Sequence, residues 1–470
     1  MLYVSTRGDA PAISFNDALL AALARDGGLY VPEHWPQLSR ATIAGFRGKA
    51  YADVAFEVIR PFVAGCFRES ELARMIDEAY ATFHDPAVAP LVELAPDEHL
   101  LELFHGPTLA FKDVAMQLLA RLMDHVLAER ADRVTIVGAT SGDTGGAAVE
   151  AFRGRERADV IILFPDGRVS DVQRRMMTTA TEGNVHAVAI DGNFDDCQAI
   201  VKALFNDHAF RDRVKLSGVN SINWARIVAQ TVYYFTAAVA LGAPERSVRF
   251  AVPTGNFGDI FAGYVAAKMG LPIERLIIAT NVNDILVRTL ESGAYEPHGV
   301  VATASPAMDI QVSSNFERLL FEATGRNFLT VRELMNDLSK NKHFTLPATA
   351  LAQIRKLFAA GCADEVETAA TIKSVYAERG YVLDPHGAVG VAVARRLKSE
   401  SKSPLIELAT AHPAKFPEAV TAATGVHPKL PPRFADLLDR RERVTRLPAS
   451  VDSVAKFVAE RSRASAGAAA

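Results

Sequence analysis

Long apolar segments that alternate with amphipathic segments dominate the middle of the chain. The apolar segments DRVTIVGAT, DVIILFP, VHAVAI, RFAVPTG, RLIIAT and PLIELAT have the length and the β-branched content of buried strands. Helical patterns such as GGAAVEAF, DIFAGYVAAKMG and PEAVTAAT follow several of them closely. Apolar strands that alternate with helices predict parallel sheets covered by helices on both faces. The predicted fold class is therefore α/β.

The segment HGPTLAFKDVAMQLLARLMDHV, residues 105–126, predicts one long amphipathic helix. Its apolar side chains recur at roughly three- and four-residue steps, at Phe111, Ala115, Leu118, Leu119 and Leu122. Pro107 and Thr108 predict an entry turn and an N-cap. Lys112 then lies within about one turn of the helix start, where the helix dipole disfavours a cation. The pattern alone allows either a solvated lysine or a functional amine at this position.

Changes in the pattern of predicted helices, strands and turns divide the chain into three parts. Residues 1–95 mix short helical patterns with proline-marked turns, which predicts a small, largely helical N-terminal domain. Residues 96–425 carry the alternating pattern, and we interpret the more charged helices at about 284–380 as an insertion in it. We expect residues 426–470 to form a C-terminal helical extension that ends in a disordered tail.

Composition and charge narrow the choice of partners and compartment. The chain has 470 residues, of which 49% are hydrophobic and 23% charged, as expected for a folded protein of two or three domains. A net charge of −4 gives no reason to expect nucleic acid or an anionic membrane as a partner. The first residues lack a signal-peptide pattern, and Cys66, Cys197 and Cys362 fit reduced thiols. A cytoplasmic protein that does not span a membrane is expected.

Three predicted strands end in residues suited to ligand binding, which in open α/β sheets occurs where strands end. The loop VGATSGDTGGAA offers hydroxyls and backbone N–H groups at a helix N-terminus, from Thr140, Ser141, Gly142, Asp143 and Thr144. In PTGNFGD, Gly255 and Gly258 allow a ligand to approach the backbone. Thr410 follows the third strand, in ELATAHPAKF. Each loop alone can be an ordinary turn, and neither glycine loop matches the dinucleotide fingerprint GxGxxG.

The position of Lys112 has a chemical explanation. A helix N-terminus and partial burial both lower the affinity of an amine for its proton. A neutral amine attacks carbonyl groups, so such a lysine suits Schiff-base chemistry. A carbonyl cofactor that carries a phosphate, namely pyridoxal 5'-phosphate, would use Lys112 and the GNFGD loop together.

Six motifs in this order resemble the threonine synthase family: HGPTLAFKD, SGDTGGAA, NSINWARI, PTGNFGD, SSNFERLL and LATAHPAKF. The segments YVSTRG and DGGLYVP resemble its longer branch, which has an extra N-terminal domain, and the likeness extends to about residue 425. The resemblance implies a fold-type II, tryptophan-synthase β-type enzyme, whose two α/β lobes hold pyridoxal 5'-phosphate between them. It implies a monomer or homodimer that needs no metal.

The resemblance also implies a role for each matching residue. Lys112 matches the lysine that forms a Schiff base with the cofactor, and Thr410 matches the hydroxyl residue that faces the pyridine nitrogen. The loop around the cofactor phosphate corresponds to Gly255, Asn256, Phe257, Gly258 and Asp259.

Substrate contacts are implied in two further segments. The loop near the substrate α-carboxylate corresponds to Thr140, Ser141, Gly142, Asp143 and Thr144. Asp143 stands where shorter family members carry asparagine, so its hydrogen bonding does not transfer from them. Asn220, Ser221 and Arg226 match a segment that recognises the substrate phosphate, and a guanidinium can grip phosphate through two parallel hydrogen bonds.

The implied activity is that of a carbon–oxygen lyase in the last step of threonine biosynthesis. It converts O-phospho-L-homoserine and water into L-threonine and phosphate, with Lys112 as the general base. A serine/threonine dehydratase or a phospholyase acting on a phosphorylated amino acid is the alternative; Arg226 argues against the first, whereas the second would keep every motif. A phosphometabolite sensor and a nucleotide-binding regulator are further alternatives. The intact Lys112 and the missing nucleotide motifs count against them. We interpret His105 and His412 as structural.

Overall fold

The computed structural model describes residues 1–397 and 401–466. Within these ranges the strands are β1 (Tyr3–Ser5), β2 (Tyr30–Pro32), β3 (Leu91–Ala95), β4 (Glu98–Glu102), β5 (Val134–Ala139), β6 (Ala158–Pro165), β7 (Val185–Asp191), β8 (Leu216–Ser217), β9 (Val248–Pro253), β10 (Ile273–Thr280), β11 (Ala294–Tyr295), β12 (Phe344–Thr345), β13 (Phe358–Cys362), β14 (Leu405–Ala409) and β15 (Val444–Pro448).

The helices in the same ranges are α1 (Phe15–Ala21), α2 (Arg40–Ala44), α3 (Tyr51–Ile59), α4 (Glu69–Tyr80), α5 (Lys112–Glu129), α6 (Asp143–Phe152), α7 (Asp171–Thr178), α8 (Phe194–Asn206), α9 (His208–Arg213), α10 (Trp224–Ala240), α11 (Gly258–Lys268), α12 (Ile285–Ser292), α13 (Phe316–Ala323), α14 (Phe328–Asn341), α15 (Ala348–Leu357), α16 (Glu365–Arg379), α17 (Pro385–Arg396), α18 (Pro417–Thr424), α19 (Val451–Arg461) and α20 (Arg463–Ala466). None of these helices combines the length and the apolarity needed to cross a bilayer.

Two sheets organise the fold. The larger has the order β13-β10-β9-β14-β4-β3 and is parallel except for the pair β3–β4. The smaller has the order β15-β7-β6-β5-β8 and is parallel throughout. Strand β6, ADVIILFP, is buried at every position, as expected for a strand covered on both faces. The predicted α/β class, with two lobes of parallel strands flanked by helices, is confirmed.

The N-terminal part packs onto the catalytic lobes through aromatic side chains. Trp224, the first residue of α10, has its ring centroid 6.0 Å from that of Tyr3, 6.0 Å from that of Trp35 and 5.9 Å from that of Phe62. These contacts belong to one hydrophobic core that extends from the first strand into α10 and α5. The N-terminal part therefore shares a core with the lobes, although it contains the separate antiparallel pair β1–β2.

Three segments contain strands in addition to the predicted helices. Residues 284–380 supply β13, an edge strand paired in parallel with β10, and residues 91–95 form β3 of the same sheet. The segment after residue 425 contains β15, which pairs in parallel with β7, besides α19. The expected tail beyond residue 466 lies outside the described residues. The three cysteines form no disulfide, as expected of reduced thiols.

The predicted start of the long central helix was wrong. Helix α5 begins at Lys112, four residues after the expected N-cap Thr108. Thr108 instead donates its hydroxyl to Asp113 Oδ1 at 2.6 Å, and its backbone N–H donates to Asp113 Oδ2 at 2.7 Å. Because the turn before α5 is held by these bonds, the helix cannot begin earlier, and Lys112 becomes its first residue.

Candidate active site

A cavity of about 680 Å³ lies where strands of both sheets end. The loops after β5, β9 and β14 line it, together with the start of α5 and the segment before α10. Every residue predicted for the site contributes to the lining except Gly142. A cavity of this size suits a cofactor together with a small substrate.

Lys112 enters the cavity from the first position of α5 and is only 8% exposed. Its Nζ lies 3.7 Å from Asp143 Oδ2. Burial lowers the pKa of Lys112; Asp143 opposes this shift, while the nearby cations Lys415 and Arg226 add to it. The structure thus gives the lysine the environment that its place in the sequence indicated.

The loop after β5 presents the N-terminus of α6 to the cavity. Thr140 Oγ1 accepts hydrogen bonds from the backbone N–H groups of Gly142 and Gly145, both at 3.0 Å. Gly142 has φ +142°, and a Cβ there would lie 2.5 Å from the side chain of Gln173. The turn therefore requires glycine, which gives Gly142 a structural reason to be present although it does not line the cavity.

Asp143, the first residue of α6, is held by three side chains. Its Oδ1 accepts hydrogen bonds from Lys415 Nζ at 2.7 Å and Gln173 Nε2 at 2.9 Å. Its Oδ2 faces Lys112. Burial alone would raise the pKa of Asp143, but Lys415 and Lys112 bring the pKa well below its usual value. Asp143 is therefore an ionised carboxylate between two lysines.

The loop after β9 presents a second helix N-terminus, that of α11, to the cavity. Phe257 adopts the left-handed conformation with φ +63° immediately before α11 begins at Gly258. A Cβ on Gly255 would lie 2.7 Å from the carbonyl oxygen of Ala307, so this close approach requires glycine. Asn315 Nδ2 donates to the carbonyl oxygen of Asn256 at 2.9 Å. The N–H groups of the first turn of a helix lack intrahelical partners and can bind an anion.

Asp259 follows in the first turn of α11, but its side chain is directed to α10. Oδ1 accepts hydrogen bonds from the hydroxyls of Tyr233 and Tyr234, while Oδ2 has no hydrogen-bond partner among the described residues. Burial raises the pKa of Asp259 to about 6, against the effect of both tyrosine hydrogen bonds. Its carboxyl is thus far less acidic than that of Asp143.

Arg226 brings an unpaired cation to the cavity. It is 3% exposed, and its Nη1 donates to the carbonyl oxygen of Val219 at 3.1 Å. Its Nε has no hydrogen-bond partner, and no carboxylate within the described ranges forms an ion pair with it. Burial lowers the pKa of Arg226 to about 10. A buried guanidinium without a counter-ion is suited to bind an anionic ligand.

The other predicted residues surround this set. Asn220 is exposed at the cavity wall, and Ser221 is partly buried, with its carbonyl oxygen bonded to Asn315 Nδ2 at 3.1 Å. Thr410 is buried, and its carbonyl oxygen accepts a hydrogen bond from Phe111 N at 2.8 Å. This bond joins the end of β14 to the residue just before Lys112.

Two features of the site were missed by sequence reasoning. His386 lines the cavity, its Nδ1 lies 2.8 Å from Asp384 Oδ2, and its Nε2 accepts a hydrogen bond from Ala307 N at 3.3 Å. The signal was the sequence DPHG, in which Asp384 caps α17 ahead of a proline. Lys415 was missed as well, although it lies within the quoted motif LATAHPAKF.

Neither His105 nor His412 is part of the cavity lining. His105 Nε2 lies 2.7 Å from Glu102 Oε2, and His412 Nδ1 accepts a hydrogen bond from Ala414 N at 3.2 Å. Burial, with a smaller effect of Arg433, lowers the pKa of His412 to about 4. These contacts agree with structural roles for both histidines.

The N-terminal part also reaches the cavity. Ala22 and Leu23, which follow α1, contribute to its lining. Asn223 Nδ2 donates to the carbonyl oxygen of Leu19 at 2.9 Å, and Ser217 Oγ donates to that of Leu20 at 2.9 Å. The end of α1 is thereby bound to the segment that leads into α10, and it closes one side of the cavity.

These residues fit a phosphate-bearing aldehyde. The buried amine of Lys112 can attack a carbonyl carbon, and the N-terminus of α11 and the unpaired Arg226 can each accommodate a phosphate. Fold and site together define the class: a fold-type II enzyme that depends on pyridoxal phosphate. Residues 90–406 match the family model described as pyridoxal-phosphate dependent enzyme.

Two further family models identify the branch of that class. Residues 2–80 match the model of the threonine synthase N terminus, and residues 387–458 match that of the threonine synthase C-terminal region. The chain belongs to the threonine synthase family. The family likeness therefore extends beyond residue 425, where the quoted motifs ended.

Individual relatives agree over nearly the full length. The threonine synthase of Pseudomonas aeruginosa is 52% identical over 461 residues, covering 98% of both chains. The crystal structure of threonine synthase from Brucella melitensis with pyridoxal phosphate bound has a TM-score of 0.96 and 61% identity, covering 98% of this chain and 100% of that one. The yeast threonine synthase structure has a TM-score of 0.92 and 41% identity, covering 98% of both chains.

The predicted family, cofactor and enzyme class are confirmed by these comparisons. The chain is a pyridoxal-phosphate-dependent lyase of the threonine synthase type, and it acts on a small molecule.

Proposed function

We propose that the chain converts O-phospho-L-homoserine and water into L-threonine and phosphate, with Lys112 as the residue that binds the cofactor covalently. One observation carries this assignment: the buried amine of Lys112 opens into the same cavity as two helix N-termini and the unpaired Arg226. A phosphorylated cofactor and a phosphorylated substrate need two separate phosphate sites, and the helix N-termini together with Arg226 support such a pair in this cavity.

Bound pyridoxal phosphate supplies an electron-withdrawing ring that stabilises negative charge at the substrate carbons. Lys112 then acts as the general base that removes and returns the proton at the substrate Cα. Its lowered pKa supports this role, because a lower pKa increases the fraction of the neutral amine, which can accept a proton.

We assign the two phosphate sites by their chemistry. The cradle of Gly255, Asn256, Phe257, Gly258 and Asp259 offers backbone N–H groups and the dipole of α11, which suit a phosphate that stays in place. Arg226, with Asn220 and Ser221 beside it, offers a guanidinium fork that suits a phosphate arriving on the substrate and leaving as product.

The remaining contacts orient the substrate and the ring. We propose that the loop after β5 binds the substrate α-carboxylate through N–H and hydroxyl groups of Thr140, Ser141, Asp143 and Thr144, while Gly142 permits the turn that presents them. We assign the Thr410 hydroxyl to the pyridine nitrogen. A hydroxyl there leaves the ring nitrogen less protonated than a carboxylate would, which limits side reactions that need prolonged negative charge on the substrate.

Reductive trapping tests the assignment of Lys112. The holoprotein is treated with borohydride and digested, and the labelled peptide is identified by mass spectrometry. We expect the label on the peptide that contains Lys112, and no label in Lys112→Ala. The exposed Lys356 on α15 provides the matched control Lys356→Ala, which should keep the label on Lys112. A label on another lysine would overturn the assignment.

Product analysis tests the reaction. Incubation with O-phospho-L-homoserine should yield L-threonine and one equivalent of phosphate. Formation of 2-oxobutyrate and ammonia in place of threonine would replace the proposal by a phospholyase. Turnover of unphosphorylated threonine or serine at a comparable rate would favour a dehydratase and remove the assigned role of Arg226.

We further propose the domain division 1–95, 96–425 with an elaboration at 284–380, and 426–470. We propose that the enzyme works in the cytoplasm as a monomer or homodimer. Sedimentation of the holoprotein with and without substrate tests the assembly state.

A further inference from the structure

Lys415 is a buried lysine just behind the cavity wall. It ends a short 3₁₀ turn, Pro413–Lys415, after β14, and only 1% of its surface is exposed. Its Nζ lies 2.7 Å from Asp143 Oδ1 and donates to the carbonyl oxygen of Thr108 at 2.7 Å. Lys415 itself does not line the cavity, whereas Asp143 and Lys112 do.

The side-chain nitrogens of two buried lysines therefore lie near one carboxylate, and they approach it unequally. Lys415 is in direct hydrogen-bond contact with Asp143, while Lys112 Nζ stands 3.7 Å from the other oxygen. Gln173 donates to the same oxygen as Lys415, which holds that end of the carboxylate in place. A buried ion pair of this geometry persists because each charge compensates the other.

We propose that Lys415 is a positioning residue that binds the Asp143 carboxylate as its permanent counter-ion, so that Asp143 does not hold a proton on Lys112. This inference rests on the proposed role of Lys112 as the cofactor-binding amine. Without Lys415, the carboxylate would have Lys112 as its sole lysine partner and would stabilise the ammonium form, which cannot attack a carbonyl.

Other charged groups around the pair come from every neighbouring element. Arg226 on α10 disfavours a proton on Lys112, and Asp259 on α11 favours one. Asp113 on α5 and His412 before the 3₁₀ turn face Lys415. These groups stay the same in the variants below, so a change in the titration of Lys112 reports on Asp143 and Lys415.

The test compares Lys415→Met, Asp143→Asn and the double variant with the unchanged enzyme. The first readout is the pH midpoint of the visible absorption change of the cofactor in each holoprotein. The second readout is the pH dependence of acetylation of Lys112 by trace acetic anhydride in the cofactor-free full chain, measured by mass spectrometry. The matched control is Lys429→Met, because Lys429 is an exposed lysine that follows Lys415 in the chain and does not line the cavity.

We expect Lys415→Met to raise both midpoints by about 1–2 pH units, the size of shift that a nearby opposite charge produces. At a fixed pH below the midpoint, the acetylation rate of Lys112 then falls about tenfold for each pH unit by which the midpoint rises. In the Asp143→Asn background, the same lysine substitution should move the midpoints by less than half as much. Lys429→Met should leave both midpoints unchanged.

Equal shifts in the two backgrounds would overturn the inference, because Lys415 would then act on Lys112 without Asp143. Unchanged midpoints in a destabilised Lys415→Met protein would also overturn it and leave Lys415 as a structural brace of Thr108. If Lys415→Met does not fold, Lys415→Gln keeps a polar amide at this position while removing the charge, and it should shift the midpoints in the same direction. Borohydride mapping of Lys112 in the unchanged enzyme separates a failure of the proposed function from a failure of this inference.

Discussion

Two aspartates, Asp143 and Asp259, occupy equivalent places in the two lobes of the site. Each follows the end of a buried parallel strand and lies in the first turn of the next helix. Both are almost fully buried, and Lys112 is near enough to affect the pKa of each. Local sequence therefore offers no reason for the two carboxyls to behave differently.

Their neighbours make them different. Asp143 meets Lys415 and remains ionised, whereas Asp259 meets two tyrosine hydroxyls and has a pKa raised to about 6. The comparison teaches that the charge of a buried acid depends on the residues that the fold brings to it.

The largest effect is expected from substitution of Lys112, which influences the pKa of both carboxyls. Lys112→Ala should lower the rate of threonine formation by at least about 10³-fold, because no amine remains to bind the cofactor or to move the Cα proton. Steady-state kinetics with O-phospho-L-homoserine measures this loss. Lys112→Arg keeps the charge and should be equally inactive; activity within tenfold of the unchanged enzyme would contradict the assignment.

The next effect separates the two aspartates directly. Asp143→Asn should lower the free energy of unfolding by roughly 3 kcal/mol, because it leaves Lys415 buried without its counter-ion. Asp259→Asn should change it by less than about 1 kcal/mol, since an amide can still accept from Tyr233 and Tyr234. Urea unfolding of both variants at pH 7 measures the difference. Equal losses would show that the two sites are not electrostatically distinct.

Arg226 sharpens the comparison because it pairs with neither aspartate. Arg226→Gln should raise KM for O-phospho-L-homoserine about 10–100-fold with a smaller change in kcat, since charge-assisted hydrogen bonds to the phosphate are lost. Arg226→Lys keeps the positive charge but lacks the two parallel N–H donors of a guanidinium. Its KM should therefore lie between that of the unchanged enzyme and that of Arg226→Gln. A KM that does not change in Arg226→Gln would remove this residue from the substrate phosphate site.

The smallest expected effect is the pH dependence that Asp259 gives to stability. Its folded pKa of about 6 lies above the ordinary value of 3.8, so the folded state binds more protons between these values. The free energy of unfolding should therefore fall by roughly 1–2 kcal/mol on account of Asp259 as the pH rises from about 4 to about 6.

Urea unfolding at a series of pH values compares the unchanged enzyme with Asp259→Asn, in which this fall should be smaller. Asp113 also lowers the free energy of unfolding as the pH rises, because burial raises its pKa to about 6. The effect of Asp259 is therefore measured as the difference between the pH profiles of the unchanged enzyme and Asp259→Asn. The contribution of Asp143 to the free energy of unfolding changes with pH in the opposite direction. Its lowered pKa adds stability that is lost as the pH falls below about 4. Identical pH profiles would contradict the raised pKa of Asp259.

The fold was predictable where a segment carried its own signal. Strands such as DVIILFP are apolar along their whole length, so their sequence indicates burial on both faces. The strands β13, FAAGC, and β15, VTRLP, carry no such run, and they are strands because β10 and β7 supply their hydrogen-bond partners. The start of α5 was misplaced for a similar reason: Asp113 captures the hydroxyl that would have capped the helix.

The candidate site likewise contains residues that the sequence indicated and residues that it did not. Lys112, the glycine loops and Thr410 follow recognisable strand and helix boundaries, and the structure brings them to one cavity. Lys415 and His386 lie in motifs that read as ordinary loop and helix-cap sequence, and their partners Asp143 and Ala307 are remote in the chain. A local signal such as DPHG indicates a helix cap but not these contacts, because they depend on which distant residues the two lobes place together.

By itself, the order of the amino acids determined the alternation of buried strands and helices, the family, and the lysine at a helix start, because each of these depends on neighbours along the chain. Tertiary structure alone decided which buried charges compensate one another. Coulomb interactions and desolvation act through space, so the ionised Asp143 and the weakly acidic Asp259 differ only once Lys415, Tyr233 and Tyr234 have been folded against them.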